Sequence, residues 1–257
     1  MNVAGQTGTR YRAVIEYDGT AYFGFQRQVP EQPTIQGQIE RALQQIAHRP
    51  VTITGAGRTD SGVHALGQVI SFDLAWRHGP AALLRAMNAN LPPDIAILVL
   101  DEAPPAFHPR YDARRRTYHY YIYNRPLRSP LRRQTSWHVV HPLNVDTMNQ
   151  AAEVLVGVHD FATFGQPPKG ENSVRQVFLA HWQPRNEFLV FTIEANAFLY
   201  RMVRSLVGSM KAVGDGSWTV SAFVAALQAR DRRQAGDTAP PHGLYLVSIT
   251  YDDAETR

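Results

Sequence analysis

The sequence predicts an α+β fold of two similar halves, each a mixed, antiparallel-rich sheet with helices on one face, with the active-site cleft between them. Three observations lead there. Short strand signals and amphipathic helical signals run in the order strand, helix, strands, helix, strand, and broadly the same order then follows again. A Pro-rich break, Pro104-Pro105 with Pro109 close behind, separates the two runs. The second run contains a hairpin pattern, Val174 to Arg185 followed by Glu187 to Ala195. The expected organisation is a disordered lead-in over residues 1–9, a first half over 10–105 and a second half over 106–257. The halves share pattern and not residue identity.

In order, Arg12 to Tyr17 reads as a strand closed by the turn signal Asp18-Gly19. Thr34 caps a helix whose inward stripe is Ile35, Ile39, Ala42, Leu43 and Ile46. Val51 to Thr54 is a strand running into a Gly-rich loop, and Gln68 to Leu74 is another strand after it. Pro80 to Leu91 is helical and Asp94 to Leu100 extended. In the second half Arg116 to Tyr123 alternates as a strand. Asn144 caps a helix with Val145, Met148, Ala152 and Leu155 inward. Leu199 to Val213 and Ser221 to Ala229 are helices, and Leu244 to Tyr251 is a last strand.

Composition narrows the chemistry. The 257 residues are 44% hydrophobic and 19% charged, an ordinary globular balance. With no cysteine, disulfides, zinc ribbons and a thiol nucleophile are excluded. No run of about 20 apolar residues predicts a membrane-spanning helix, and Met1 to Thr9 lacks an apolar signal core. The formal charge is +4, and of 26 basic residues only Lys169 and Lys211 are lysines. Arginine-rich coding and a polyanion partner explain that bias equally well, since guanidinium forks match phosphate oxygens. Basic clusters at Arg110 to Arg116, at Arg125, Arg128, Arg132 and Arg133, and at Arg230, Arg232 and Arg233 favour the polyanion. They are interleaved with Tyr and Pro and suit phosphate contacts along a folded RNA, although each taken singly is equally a solvated face.

The loop Gly55-Ala56-Gly57-Arg58-Thr59-Asp60-Ser61-Gly62 is the candidate for chemistry. A dinucleotide fingerprint would need a third glycine where Asp60 stands, and a carboxylate there repels a pyrophosphate. No Gly-Lys-Ser/Thr completes a phosphate loop. Asp60-Ser61-Gly62-Val63 matches the aspartate segment of subtilisin-like proteases, but the histidine and serine segments are missing. What remains is a carboxylate two residues after an arginine on a glycine-flanked turn. If the segment is extended, Arg58 and Asp60 point the same way, and a guanidinium lowers a carboxylate pKa by roughly 1–3 units. An ionised carboxylate suits nucleophilic or base chemistry. An ordinary turn with a surface ion pair is the competing reading, and spacing alone favours it.

Gly57-Arg58-Thr59-Asp60-Ser61-Gly62-Val63-His64 resembles the signature of the tRNA pseudouridine synthase A family, often called TruA. Tyr17-Asp18-Gly19-Thr20 with Gly24-Phe25-Gln26, Asn88 through Leu91-Pro92, Phe107-His108, Arg116 with Tyr118 and Tyr120, Asp160-Phe161, Asn196-Ala197-Phe198-Leu199 with Met202-Val203-Arg204, and Gly243-Leu244-Tyr245-Leu246 extend the likeness in order. The resemblance implies isomerisation of uridines 38, 39 and 40 in the anticodon stem-loop of tRNA to pseudouridine. Asp60 would be the catalytic aspartate, Arg58 and Arg204 the active-site arginines, and Tyr118 the aromatic side chain that stacks on the target base. It also implies a homodimer, a cytoplasmic location and no cofactor. Ser205 stands where the family more often has asparagine, and Tyr200-Arg201 fills a pair that often contains histidine.

The reaction breaks N1–C1′, turns the base and joins C5 to C1′, so it needs neither redox cofactor nor metal. His138 and His141 have a suggestive spacing but no companion carboxylate. Asp60 would act either by attacking C1′ or by removing a 2′ proton to give a glycal. Both routes require an extruded base and an aromatic partner. Tyr118, preceded by Arg114, Arg115 and Arg116, is taken as that partner, and Tyr120 as a core residue. On the helical wheel Arg204 lies at the margin of the apolar arc, with Arg201, Gly208 and Lys211 towards the polar side. The runner-up function is a non-catalytic RNA-binding protein on the same scaffold.

Overall fold

The computed structural model describes residues 8–29, 31–167, 170 and 172–252. Residues 1–7 of the expected lead-in lie outside the described residues, and Thr9 already opens the first strand. The chain forms two compact units, Met1–Arg114 with Leu246–Arg257, and Arg115–Tyr245.

The first unit contains β1 (Thr9–Tyr17), α1 (Ile35–Ala47), β2 (Thr54–Gly55), β3 (His64–Leu74), α2 (Gly79–Asn90) and β4 (Ile95–Glu102). Its ladders are antiparallel, β1 pairing with both β3 and β4, and β2 with β3. The last strand, β10 (Leu244–Tyr251), enters this unit at Leu246 and runs beside β3. Strand alternation puts Tyr11, Ala13, Ile15 and Tyr17 of β1 in the core. Thr34 caps α1 as expected, its side chain accepting from the Gly37 amide at 3.2 Å. Ile35, Ile39, Ala42 and Leu43 are buried, while Ile46 at the end of the stripe is only half-buried. The strand expected over Val51 to Thr54 shrinks to Thr54–Gly55. The Ile53 amide leaves the ladder because the buried Glu40 carboxylate accepts it at 3.1 Å.

The sequence reading divides the halves at 105/106, whereas the units part at Arg114/Arg115. The intervening segment is held to the first unit. Arg10 donates to the Phe107 carbonyl at 3.0 Å, the Tyr251 hydroxyl donates to the Pro109 carbonyl at 2.8 Å, and the Phe107 and Tyr251 rings lie 5.3 Å apart.

The second unit takes in most of β5 (Ala113–Asn124), then β6 (Trp137–Val139), α3 (Val145–Glu153), β7 (Gly157–Asp160), β8 (Val174–Arg185), β9 (Phe188–Ala195), α4 (Met202–Gly214) and α5 (Val220–Ala229). Its sheet runs β5-β9-β8-β7 with antiparallel pairs, and β6 is parallel to β5. The β8–β9 hairpin turns at Asn186, whose φ of 54° is a conformation that asparagine tolerates. One face of the sheet carries buried Tyr118, Tyr120, Ile122, Phe191, Ile193 and Trp182. Helices cover that face: Asn149 of α3 exchanges hydrogen bonds with the Trp182 backbone, and the Trp182 indole donates to the Met210 sulfur of α4 at 3.4 Å. The architecture is therefore the expected α+β class, antiparallel-rich with helices against the sheets.

Two expectations about α4 need correction. The helix begins at Met202, not Leu199, because Tyr200 pairs with Gln166 and Arg201 takes a left-handed φ of 61°. Gly208 is not on a polar side. It is buried against the Asp237 carbonyl, where any β-carbon would collide. The helix is buried nearly all round, and the chain's return through residues 235–239 covers the side of Arg204, Gly208 and Ser209.

Candidate active site

The loop from Ala56 to Val63 is fixed at almost every backbone position in the first unit. The Ala56 amide donates to the Val69 carbonyl at 2.8 Å. Fully buried Gln68 donates its side-chain amide to the Gly57 carbonyl at 2.8 Å. Thr59 is gripped from two sides. Its hydroxyl meets the Tyr17 hydroxyl at 2.7 Å in a buried contact, and its carbonyl accepts from the Phe25 amide at 3.1 Å. Gly24, at φ 95°, lies against that same carbonyl, so a side chain there would strain the backbone and strike the Thr59 oxygen. Beyond Asp60, its own carbonyl accepts from the Val63 amide at 3.1 Å, and the Tyr22 carbonyl accepts from the Ser61 hydroxyl at 3.1 Å. Asp60 is thus half-buried on a rigid turn, and Arg58 beside it is exposed. Such locking of neighbours is what a group held for chemistry requires.

Two supports of the loop escaped the sequence reading. His64 is almost fully buried, and its Nδ1 stands 3.1 Å from the Gly19 amide and 3.0 Å from an Asp18 carboxylate oxygen. That nitrogen serves one of them at a time: unprotonated it accepts from Gly19, protonated it donates to Asp18. Tyr22 donates to Asp94 at 2.6 Å, and burial, reinforced by that carboxylate, pushes its hydroxyl pKa far up. Tyr22 therefore stays a neutral donor while its carbonyl holds Ser61.

Tyr118 and Arg204 belong to the second unit. Tyr118 lies on β5 opposite Ile193, with 8% of its surface exposed, and meets the Phe198 ring edge-on at 5.0 Å and 82°. Tyr120 is fully buried and donates to the Pro240 carbonyl at 2.8 Å, consistent with its reading as a core residue. Arg204 sits in the first turn of α4, half-buried. Its Nε donates to the Ala239 carbonyl at 2.8 Å, and the Ala239 amide donates back to the Arg204 carbonyl at 3.0 Å. A cation at a helix N-terminus opposes the macrodipole by about 0.3–1 kcal/mol, so Arg204 is not placed there to stabilise its own helix.

Two of the three basic clusters serve the fold. Arg114 pairs with Asp252 at 2.6 Å, Arg115 with Glu194 at 2.8 Å, and Arg116 donates to the Asn196 carbonyl at 2.6 Å. Arg230 approaches Asp160 at 3.4 Å, and Arg233 pairs with Asp231 at 2.7 Å. Arg232 turns inward, donating to the Thr163 carbonyl at 3.0 Å and to the hydroxyl of Ser205 at 2.6 Å. Ser205 is fully buried, so this departure from the family pattern serves an internal arginine. Tyr200 is about half exposed, with the Arg201 guanidinium 4.9 Å from its ring centre. Among the described residues, no group of three or more His, Asp or Glu could hold a metal ion, and no helix is long and apolar enough to cross a membrane.

Comparison with known proteins places this loop in a family. The tRNA pseudouridine synthase profile matches residues 13–112 and 151–252, which include Arg58, Asp60 and Arg204, while Tyr118 lies between the two matched segments. A tRNA pseudouridine synthase A of Pseudothermotoga lettingae is 41% identical over 94% of this chain and 99% of its own length. That of Shewanella sp. strain W3-18-1 is 42% identical over 93% of this chain and 92% of its own. A solved chain from the "Crystal Structure of a Cbf5-Nop10-Gar1 Complex" is matched at 15% identity, over 79% of this chain and 54% of that one. Its TM-score of 0.35 supports no further argument. The chain belongs to the tRNA pseudouridine synthase family, isomerases that act on uridine in tRNA.

Proposed function

We propose that this chain isomerises uridines 38, 39 and 40 of the tRNA anticodon stem-loop, with Asp60 as the catalytic carboxylate. The observation that carries the reading is the double grip on Thr59, which holds the residue before Asp60 by side chain and backbone at once. In the proposed reaction the N1–C1′ bond breaks, the base turns, and C5 bonds to C1′. The C5 proton leaves and N1 gains one, so nothing is oxidised. Asp60 either attacks C1′ or takes the 2′ proton. Arg58 and Arg204 are proposed to hold the carboxylate and the neighbouring phosphate charge, and Tyr118 to receive the extruded base. Two copies of the chain are proposed to serve one tRNA in the cytoplasm.

Position is tested by incubating the protein with an unmodified tRNA transcript and mapping pseudouridine by chemical adduct and primer extension. Stops are expected at 38, 39 and 40 wherever a uridine stands there, and replacing that uridine by cytidine should abolish the stop. Product confined to another arm of the tRNA would contradict the assignment.

A further inference from the structure

The remaining basic cluster places three arginines around one cavity, whereas the cavity beside Arg230 also contains the Asp160 carboxylate. In the second unit the lining of a cavity of about 310 Å³ includes Arg128, Arg132, Arg133, Tyr123, His138 and His242. Its lining includes three arginines and two histidines but no carboxylate. Arg132 is paired with Glu187 at 2.6 Å, whereas among the described residues no ion pair reaches Arg128 or Arg133. Uncompensated like charges placed together disfavour the fold and favour an anion. Arg133 makes one long hydrogen bond to the Pro130 carbonyl at 3.5 Å, whereas the arginines of the other two clusters are mostly spent on carboxylates and shorter bonds to carbonyls and a buried serine.

The cavity is built, not incidental. Residues 129–136 form a stapled turn in which the Arg132 carbonyl accepts from the Thr135 and Ser136 amides, each at 3.1 Å, and from the Ser136 hydroxyl at 3.0 Å. The Tyr245 hydroxyl donates to the Thr135 carbonyl at 3.2 Å. Parallel pairing of β6 with β5 sets His138 beside Tyr123, with their rings 5.8 Å apart. Arg132 is steadied over the Phe188 ring at 5.4 Å. The backbone that carries Arg132 and Arg133 is therefore fixed, with Arg128 just ahead of the turn, which lowers the ordering cost of gripping an anion. The volume is at the small end for a ligand site, enough for a phosphate with its sugar and too small for a duplex.

We propose that this cavity is a second RNA site, which seats one backbone phosphodiester of the tRNA between Arg128 and Arg133. It rests on the RNA partner proposed above but not on Asp60. The test is equilibrium binding of a tRNA transcript with cytidine at positions 38, 39 and 40, which allows no turnover there, to the full chain across a salt series. The Arg128→Ala/Arg133→Ala variant is compared with Arg49→Ala/Arg77→Ala, which removes the same charge from exposed positions in the first unit. The cavity variant should bind about tenfold or more weakly, with a log–log salt slope shallower by roughly 0.7–0.9, the share of one phosphate, while the control moves far less. Equal losses in both variants, or none in the cavity variant, would overturn the proposal. So would a change in oligomeric state on sedimentation, which would make the cluster a protein contact. Because binding is read without chemistry, failure here leaves the role of Asp60 standing. Inactivity of Asp60 variants likewise has no bearing on the cavity.

Discussion

At the scale of single residues, the site rests on Asp60 and on what immobilises it. Sequence spacing alone left that carboxylate indistinguishable from a turn residue with a surface ion pair. It could not show that Tyr17, 42 positions away, binds Thr59, nor that buried Gln68 fixes Gly57. Such contacts depend on which strands meet, and no local pattern encodes them. Tyr17→Phe removes one hydroxyl and leaves the Thr59 oxygen without that partner, at a cost of about 1–3 kcal/mol. The expected outcome is a lower single-turnover rate with tRNA affinity nearly unchanged, measured by rapid quench and filter binding. An equal loss in both would assign Tyr17 to RNA binding instead. His64 was equally hidden: it sits inside the recognisable motif, yet its work is to hold the Asp18-Gly19 turn.

Among the elements, caps and stripes were legible because they are local. Thr34, Asn144 and the β8–β9 hairpin stand where side-chain chemistry and alternation put them. β6 and β7, of three and four residues, were not, since strands that short carry too little period to read. The start of α4 was misplaced because Leu199 continues the apolar pattern while the backbone at Arg201 breaks it. The end of α4 makes a pH prediction. Burial alone would raise the Asp215 pKa, but hydrogen bonds from Lys211 and Ser217 and the Lys211 charge outweigh it and hold the carboxyl below its usual 3.8. A carboxyl depressed in the folded chain contributes stability above its unfolded pKa, and that contribution is lost as pH falls through the folded value. Below about pH 4, Asp215→Asn should therefore lose less thermal stability per pH unit than the parent chain. Parallel melting curves from pH 5 to pH 2.5 would show no such sparing if Lys211 and Asp215 do not interact.

For the whole molecule, the α+β class and the existence of two halves followed from the repeated order of elements, but the seam did not. Prolines mark where a chain cannot continue a helix or ladder, and they say nothing of which core it joins. Residues 106–114 stay with the first unit because Arg10 and Tyr251 hold their carbonyls. A net charge of +4 does not say where the charge sits; pairs such as Arg114–Asp252 and Arg115–Glu194 cancel locally, while among the described residues no ion pair reaches Arg128 or Arg133. A phosphate-dominated interface predicts that log affinity for tRNA falls linearly with log salt, by roughly 0.7–0.9 per phosphate neutralised. Fluorescence anisotropy between about 50 and 200 mM salt reads this directly, and a flat response would remove the phosphate backbone from the account.

The most direct measurement of the central claim is single-turnover pseudouridine formation by Asp60→Ala and Asp60→Asn on a tRNA transcript, with binding measured alongside. The account predicts no detectable product from either variant and tRNA affinity within a few-fold of the parent chain. Product accumulating with Asp60→Ala would contradict it outright.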